Sequence, residues 1–341
     1  MRYSIFSVMD HHPGRARSVP DYYAQLFRVA AAAEQLGYHG LFVAEHHFHE
    51  YGVVPNPAVM LAALAQHTQR LRLGPAIATL TYHNPLMVAE SYAMLDVLSG
   101  GRLVLGVGSG YLKHEFAGFG ISPEDKRQRF DETLMLVRRL LAGERVNHEG
   151  KYHRLDGVAL NVRAIQQPAP PIYVAALARE AGYHIGRQGS NLMAIPYATA
   201  QNFAELGELQ AAFRRGRAEA GLGAGEDDSN YTFHCHVAAT DEEARLNATG
   251  PFDLYVETRL YARRQTYDDV EASGLALFGS AETVARKVAA LARMGIPNIS
   301  LLMDFGFMTE AKVLASMRAF AEEVVPRVAA SLGEGGRSNE I

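Results

Sequence analysis

The chain has 341 residues, of which 48% are hydrophobic and 21% charged, and its formal net charge is −4. This composition is typical of a globular protein with a large core, and the weak negative charge disfavours nucleic acid or an anionic membrane as the main partner. The single cysteine, Cys235, excludes an internal disulfide. No secretory leader and no apolar run long enough for a membrane helix are evident, so we expect a soluble, cytoplasmic protein.

Apolar runs that predict buried parallel strands alternate along the chain with segments that predict helices. Asn56-Pro57 and Asn84-Pro85 are strong helix starts, because each places a capping side chain before a proline suited to the first turn. The predicted strands are residues 3–9, 41–44, 71–80, 102–108, 172–177, 191–197, 231–239 and 298–305. The predicted helices are residues 20–36, 56–68, 84–98, 123–142, a segment ending at 187, 202–220, 241–265, 280–294 and 309–332.

Eight strands, each followed by a helix, predict a (β/α)₈ TIM barrel, an α/β fold. Residues 143–171 interrupt the alternation with two turns, Glu149-Gly150 and Asp156-Gly157, and a proline cluster. We interpret this segment as an insertion between strands 4 and 5 because the alternation resumes at once; the alternative is a linker between two domains. We therefore expect one domain over residues 1–332 and a disordered tail over residues 333–341.

The segment HGLFVAEHHF, residues 39–48, contains the most informative polar cluster. It begins as an apolar strand and ends in Glu45, His46 and His47. Ionisable groups are costly to bury unless partners or chemistry hold them there. Catalytic groups of parallel α/β barrels lie at the C-terminal ends of strands, so these residues predict an active site; the alternative is a loop of structural, hydrogen-bonded histidines.

A glycine-rich run follows the fourth predicted strand, GVGSG at residues 106–110. It resembles half of a dinucleotide-binding fingerprint, but its third glycine is mis-spaced and no helix opens directly after it. We interpret it as a flat surface on which a planar ring can approach the backbone, with the Ser109 hydroxyl beside it. A tight turn at the rim is the alternative.

Two further patterns leave alternatives open. Arg127 and Arg129 begin a predicted helix, which is unfavourable for cations with respect to the helix dipole and suggests an anionic ligand such as phosphate; solvated charge beside nearby acids is equally consistent. His234 and His236 fall on one face of a predicted strand, a spacing that can bind zinc. No third ligand accompanies them by motif, and we expect no metal site.

Four stretches resemble the bacterial luciferase-like flavin monooxygenases: AEQLGYHGLFVAEHHF, NPAVMLAALAQHT, HNPLMVAESYAMLDVLSGGRLVLGVGSGY and PPIYVAALAREA. The resemblance implies a barrel with an insertion, a homodimer, and FMN bound at the C-terminal rim. It implies that a separate NAD(P)H-dependent flavin reductase supplies reduced FMN, which reacts with O₂ to give a C4a-peroxyflavin that oxygenates a small-molecule substrate.

The resemblance also assigns roles to residues. His46 matches the active-site histidine, and Glu45 the acidic residue beside it. The matched cofactor-binding positions are Ala76, Ile77, Gly108, Ser109, Tyr111, Arg127, Val174, Ala175, Ala178 and Arg179. Many relatives have arginine in place of Ser109 and serine in place of Ala178, which leaves the phosphate to Arg127, Arg179 and backbone N–H groups.

Three hypotheses follow. The first is an FMN-dependent monooxygenase whose pocket for a small, partly apolar substrate is lined by Phe48, Tyr51, Tyr82, Tyr111 and Phe305. The second is a deazaflavin-dependent hydride-transfer enzyme on the same barrel. The third is a barrel of another class, either a non-catalytic flavin-binding protein or a metal-dependent hydrolase that uses the two histidines of the HCH motif.

Overall fold

The computed structural model describes residues 1–50, 52–223, 227–258 and 264–335. Most of its strands belong to one parallel sheet, in the order β3-β2-β1-β12-β10-β9-β8-β5-β4, with β11 beside β10. The strands are β1 (Arg2–Ser7), β2 (Gly40–Val43), β3 (Arg72–Pro75), β4 (Ala78–Thr79), β5 (Leu105–Gly108), β6 (Val146–Glu149), β7 (Arg154–Val158), β8 (Ile172–Ala176), β9 (Asn191–Ala194), β10 (Asn230–Ala238), β11 (Leu277–Ser280) and β12 (Asn298–Leu302).

The sheet forms a nearly closed barrel. Its two ends, β3 and β4, are parts of one stretch of chain separated only by Ala76 and Ile77, and Leu73 bridges to Leu103 beside β5. Counting β3 and β4 as one gives eight principal strands, so the predicted TIM barrel is confirmed. β11 was not predicted; it pairs with the C-terminal half of β10, while β12 pairs with the N-terminal half.

Helices surround the barrel. They are α1 (Val19–Gln35), α2 (Pro57–His67), α3 (Pro85–Leu98), α4 (Lys113–Gly118), α5 (Lys126–Leu141), α6 (Ala181–Arg187), α7 (Pro196–Thr199), α8 (Ala204–Glu219), α9 (Asp241–Glu257), α10 (Tyr267–Ser273), α11 (Ala281–Arg293), α12 (Glu310–Ala319) and α13 (Val325–Gly335). The predicted caps are present: Asn56 accepts from the Val59 N–H at 3.3 Å and Asn84 from the Leu86 N–H at 2.9 Å. No helix in the described ranges is long and apolar enough to cross a membrane.

The strands are apolar on both faces because each is covered by the barrel interior on one side and by helices on the other. Leu41 and Val43 on β2 and Leu301 on β12 are completely buried. Packing is tight where β3 passes the chain leading into β5. A Cβ at Gly74 would lie 1.9 Å from the Val104 carbonyl oxygen, so only glycine fits at that point.

The segment between α5 and β8 contains the antiparallel hairpin of β6 and β7 on the outside of the barrel. Glu132 on α5 binds the hairpin: its Oε1 accepts from the His153 N–H at 2.9 Å and lies 3.1 Å from His148 Nε2. Buried Asp96 accepts from the N–H of Ile165 at 2.7 Å. The hairpin is therefore fastened to the barrel wall.

The helical boundaries differ from prediction near the C-terminus. The predicted helix over residues 241–265 ends at Glu257, and residues 259–263 lie outside the described residues. The last helix continues to Gly335, into the segment expected to be a disordered tail; residues 336–341 lie outside the described residues.

Candidate active site

A cavity of about 260 Å³ opens at the C-terminal ends of the barrel strands. We call it the central cavity. The predicted site residues that line it are Glu45, His46, Ala76, Ile77, Gly108, Ser109, Tyr111, Arg127, Ala175 and Ala178. They come from the ends of β2, β3, β5 and β8 and from the start of α5, segments that are distant in sequence but meet at one rim because parallel strands end on the same side.

Two further spaces share lining residues with the central cavity. The first side chamber has a volume of about 300 Å³, and its lining is Ser109, Arg127, Phe130, Val174, Ala175, Ala181, His184, Ile185 and Gln188. The second side chamber has a volume of about 610 Å³, and its lining is Tyr111, Leu177, Ala178, Arg179, Glu180, Tyr197, Ala198, Thr199, Ala200, Gln201, Glu205 and Gln265. Of the remaining predicted cofactor residues, Val174 thus lies in the first chamber and Arg179 in the second.

The wall of the central cavity suits a flat, largely apolar ring. Its inner part is apolar, with Phe6, Val8, Ile77, Met193 and Leu302. A Cβ at Gly108 would come within 2.9 Å of the Ile77 side chain and 3.5 Å of Ala175 Cβ. Because Gly108 has no side chain, this part of the wall is flat. Ala175 and Ala176 extend the flat surface along β8. Together with the first side chamber, the cavity is in the size range of organic-cofactor sites, about 300–1,000 Å³.

Glu45 is held by two histidines. Its Oε1 accepts from His47 Nε2 at 3.0 Å, from His83 Nε2 at 2.9 Å and from the Thr79 N–H at 3.3 Å. Burial alone raises the pKa of Glu45, but the hydrogen bonds from His47 and His83 outweigh it and the pKa falls to about 2. For His83, burial lowers the pKa, and the bond to Glu45 reverses this and raises it. Glu45 is therefore a fixed negative charge at the cavity wall.

The same three residues are a possible metal-ligand group. The ligand atoms of Glu45, His47 and His83 all lie within 4.8 Å of one another, the one such group in the described part of the chain. Since both imidazole Nε2 atoms are at hydrogen-bond distance from Glu45 Oε1, their arrangement is accounted for without a metal.

His46, predicted to be catalytic, is paired with Glu115 on α4. Its Nδ1 lies 3.3 Å from Glu115 Oε1, which also accepts from the His47 N–H at 2.9 Å, and the Tyr82 hydroxyl donates to Oε2 at 3.4 Å. Glu115 is almost completely buried, with an exposed fraction of 3%. An ionised carboxylate only accepts hydrogen bonds, so it favours the His46 tautomer with the proton on Nδ1.

The sequence analysis assigned no role in the site to Glu115, His47 or His83. His47 was part of the noted motif, and His83 ends the stretch after the third strand, so their position at a strand end was a usable signal. Glu115 carried no such signal: it lies 69 residues from His46, and its approach depends on how α4 folds over the rim.

The predicted substrate-pocket residues are only partly brought together. Tyr111 lines the central cavity, whereas Phe48 and Tyr82 form an aromatic cluster with Phe119 outside it; the Tyr82 and Phe119 rings stack at 4.7 Å between centroids. Phe305 is completely buried behind the cavity, in contact with the His234 ring. Tyr51 lies outside the described residues.

The two histidines of the His234-Cys235-His236 motif line different cavities. His234 lines the central cavity, with four aromatic rings around it at 4.7–5.5 Å. His236 lies in a surface groove beside Lys312, where burial lowers its pKa to about 4. Since neither histidine belongs to a metal-ligand group in the described ranges, the hydrolase hypothesis has no support. Burial raises the pKa of the Cys235 thiol, which makes it unreactive.

The two arginines at the start of α5 are not equivalent. Arg127 is exposed, lines the central cavity and the first side chamber, and pairs with Asp131 through Nε at 2.8 Å. Arg129 lies 4.6 Å from the centre of the Tyr152 ring, in the hairpin. Of the two arginines, Arg127 lines these cavities and Arg129 does not.

A barrel with its site at the C-terminal rim is common to enzymes of many classes, so the family has to come from sequence comparison. A model described as luciferase-like monooxygenase matches residues 1–298. The chain therefore belongs to the luciferase-like monooxygenase family and is an enzyme.

Three relatives illustrate the range of the family. Monooxygenase RslO1 from Streptomyces bottropensis is 31% identical, with a TM-score of 0.87 over 96% of this chain and 99% of that one. The flavin-dependent trigonelline monooxygenase, oxygenase component, of Acinetobacter baylyi is 24% identical over 352 residues, covering 96% of this chain and 95% of the relative. The F420-dependent glucose-6-phosphate dehydrogenase of Mycolicibacterium gilvum is 31% identical over 247 residues, covering 69% and 72%.

Proposed function

We propose that this protein is an FMN-dependent monooxygenase that uses reduced FMN and O₂ to oxygenate a small organic substrate. The observation that carries the proposal is the flat, apolar wall of the central cavity around Gly108 and Ile77, with the His46–Glu115 pair at its edge. Such a cavity offers a flat ring contact on one side and an acid–base group on the other. The likeness to RslO1 over almost the whole chain supports the monooxygenase class.

In this proposal, the small residues Ala76, Gly108 and Ala175 contact the flavin ring, and the apolar side chains behind them exclude water from it. Bound reduced flavin would supply the electrons that activate O₂. His46 would take up or give a proton at Nε2, with Glu115 holding the ring in position. Glu45 keeps its negative charge and orients the loop that contains His46.

We further propose that a separate NAD(P)H-dependent reductase supplies the reduced FMN. The support is the relative from Acinetobacter baylyi, whose name describes the oxygenase component of a flavin-dependent system. The reductase hypothesis predicts that the purified protein does not oxidise NADH or NADPH with FMN alone. Addition of a flavin reductase should then support formation of oxygenated product, which the reductase alone should not give.

We also propose a homodimer through α2 and α3. On α3, Met87, Met94 and Leu98 are exposed although apolar, and Val59 is exposed on the neighbouring α2. Met87, Ser91, Met94 and Leu98 follow the 4-3-4 spacing of a coiled-coil seam. An apolar stripe of this kind on two adjacent helices is self-complementary and fits a second copy of the chain.

His46→Ala tests the catalytic part of the proposal. We expect FMN affinity within about threefold of wild type, and product formation reduced about 100-fold on any substrate that the wild type oxygenates, because general acid–base catalysis contributes about 10²–10⁴. The control is His148→Ala, in the hairpin outside the barrel. Undiminished coupled turnover in His46→Ala would remove the acid–base role.

The second candidate is hydride transfer with the deazaflavin F420. It is favoured by the F420-dependent relative, which is 31% identical over two thirds of the chain. The two candidate functions make opposite predictions for a comparison of reduced FMN with reduced F420. Reduced FMN should support oxygen-dependent product formation if the first is right, and reduced F420 should support oxygen-independent reduction if the second is right.

A further inference from the structure

A surface groove with a volume of about 790 Å³ begins where β10 ends, and we call it the His236 groove. Its lining residues come from three places: residues 236–239, the N-terminal parts of α9 and α11, and one side of residues 311–327, which run from α12 into α13. None of these described residues also lines the central cavity. The His236 groove is therefore a separate space, and what it binds does not depend on the proposed function.

The sides of the His236 groove are held in place by hydrogen bonds between elements. On one side, the buried Ser316 Oγ on α12 accepts from the Val237 N–H at 2.9 Å. On the other side, Asp241 at the start of α9 accepts from the Ser280 N–H at 2.6 Å and from the Thr283 hydroxyl at 2.9 Å. These bonds fasten α12 to β10 and the start of α9 to the start of α11, so both sides are parts of the folded barrel.

The two sides of the His236 groove carry opposite charge. On the side of α9 and α11, the ionisable lining residues are all acidic: Asp241, Glu242, Glu243 and Glu282. On the side of α12 and α13 they are Lys312, Arg327 and Glu323, and Glu323 pairs with Arg327 at 3.8 Å. Because carboxylates already lie at the positive ends of α9 and α11, an anion alone is not favoured there. The groove suits a ligand with one positive and one negative end.

His236 is the observation that points to a ligand. Its exposed fraction is only 2%, and neither ring nitrogen has a hydrogen-bond partner among the described residues. Burial lowers its pKa to about 4, Lys312 lowers it further and Glu243 counteracts this, so the ring is neutral at pH 7. A neutral imidazole has one N–H donor and one acceptor nitrogen. Buried polar groups are normally hydrogen-bonded, so two unsatisfied nitrogens beside a groove favour a polar ligand in it.

We propose that the His236 groove binds a small zwitterion, a free α-amino acid with a short apolar side chain. Its carboxylate contacts Lys312 and the N–H of His236, and its ammonium group contacts Glu243. Lys312 and Glu243 are both exposed and are the two charged groups that act on His236. Ala311 and Ala315 on α12 line the groove and give the ligand side chain an apolar surface. A molecule with only one of the two charges leaves the other side of the groove unpaired.

The test is isothermal titration calorimetry of the full-length protein with L-valine and two analogues that each lack one charge. Isobutylamine lacks the carboxylate of valine, and isovalerate lacks its ammonium group. Dissociation constants are measured for the wild type, Lys312→Ala, Glu243→Gln and His236→Phe. Arg318→Ala and Glu322→Gln are the matched controls, because these two residues pair with each other and do not line the groove. Thermal unfolding of each variant checks that it is folded.

We expect the wild type to bind L-valine at least about tenfold more tightly than either analogue, since a hydrogen bond to a charged group contributes about that factor. Lys312→Ala, Glu243→Gln and His236→Phe should each weaken L-valine binding by a similar factor, and the two control variants should keep the wild-type affinity. Binding of isobutylamine as tightly as L-valine would overturn the inference, because the acidic side alone would then explain it. No binding of L-valine, or equal weakening in the control variants, would also overturn it.

Discussion

Asp304 is a buried carboxyl group at the barrel rim, directly after β12, and its ionisation should limit stability at high pH. Gln25 Nε2 donates to its Oδ2 at 3.0 Å, and Arg17 Nη1 lies 3.5 Å from its Oδ1. Burial has the largest effect and raises the pKa of Asp304. The positive charge of Arg17 lowers this pKa, and the negative charge of the nearby Asp10 raises it further. The result is a pKa of about 7 in place of 3.8.

The sign of the effect on stability follows from proton binding. Between the two pKa values the folded protein retains a proton that the unfolded chain has released, so the free energy of unfolding falls as pH rises through this range. Asp304→Asn keeps the shape of the side chain and cannot ionise, so it avoids this loss. Relative to wild type, it should gain about 2–3 kcal/mol between pH 5 and pH 8, or about 4 °C in Tm for a chain of this length.

The assay is thermal unfolding of both proteins at pH 5, 6, 7 and 8 in buffers of equal ionic strength. Asp241→Asn is the matched control: the backbone N–H of Ser280, above all, lowers the Asp241 pKa, so this carboxylate is ionised in both states throughout the range. Its difference from wild type should therefore stay constant with pH. A difference between Asp304→Asn and wild type that is equally constant would refute the reasoning.

Three further predictions concern packing, assembly and the histidine cluster. Gly74→Ala should prevent folding or cost about 4 kcal/mol or more, because its Cβ would overlap a backbone carbonyl. Gly250→Ala, where a Cβ meets nothing within 4 Å beyond its chain neighbours, should have a much smaller effect in denaturant unfolding. Met94→Lys should give monomers in analytical ultracentrifugation, whereas Leu246→Lys, on an exposed apolar position of α9, should not. Glu45→Gln should lower stability at pH 7 by about 3 kcal/mol, and the difference should vanish as pH falls from 4.5 towards the Glu45 pKa of about 2; an equal difference at pH 3 and pH 7 would contradict the assigned charge.

The barrel could be predicted because strand and helix patterns repeat in the sequence. The break in the third strand does not follow from the hydrophobic pattern, because Ala76 and Ile77 look like any apolar strand residues, although the family resemblance implies a strand bulge at these two positions; the structure joins them by a cis peptide bond. β11 was missed because LFGS is four residues long and contains glycine and serine. It is a strand because β10 offers it an edge, which is a tertiary effect.

The active-site residues also divide into those that could be predicted from the sequence and those that only the structure shows. Glu45, His46 and His47 could be identified together because they are adjacent and follow an apolar strand. The partner of His46 could not, because nothing in the sequence near Glu115 shows that α4 folds back over the rim. Likewise, the arginine pair at the start of α5 suggested an anion site, but only the structure separates Arg127 from Arg129.

The most direct test of the proposed function is the choice of reduced cofactor. The purified protein is titrated anaerobically with reduced FMN and, separately, with reduced F420, and each complex is then mixed with oxygenated buffer. We predict that reduced FMN binds and that the complex consumes O₂ at a rate distinct from that of free reduced FMN. Binding of reduced F420 without binding of reduced FMN would contradict the account and assign the protein to hydride transfer.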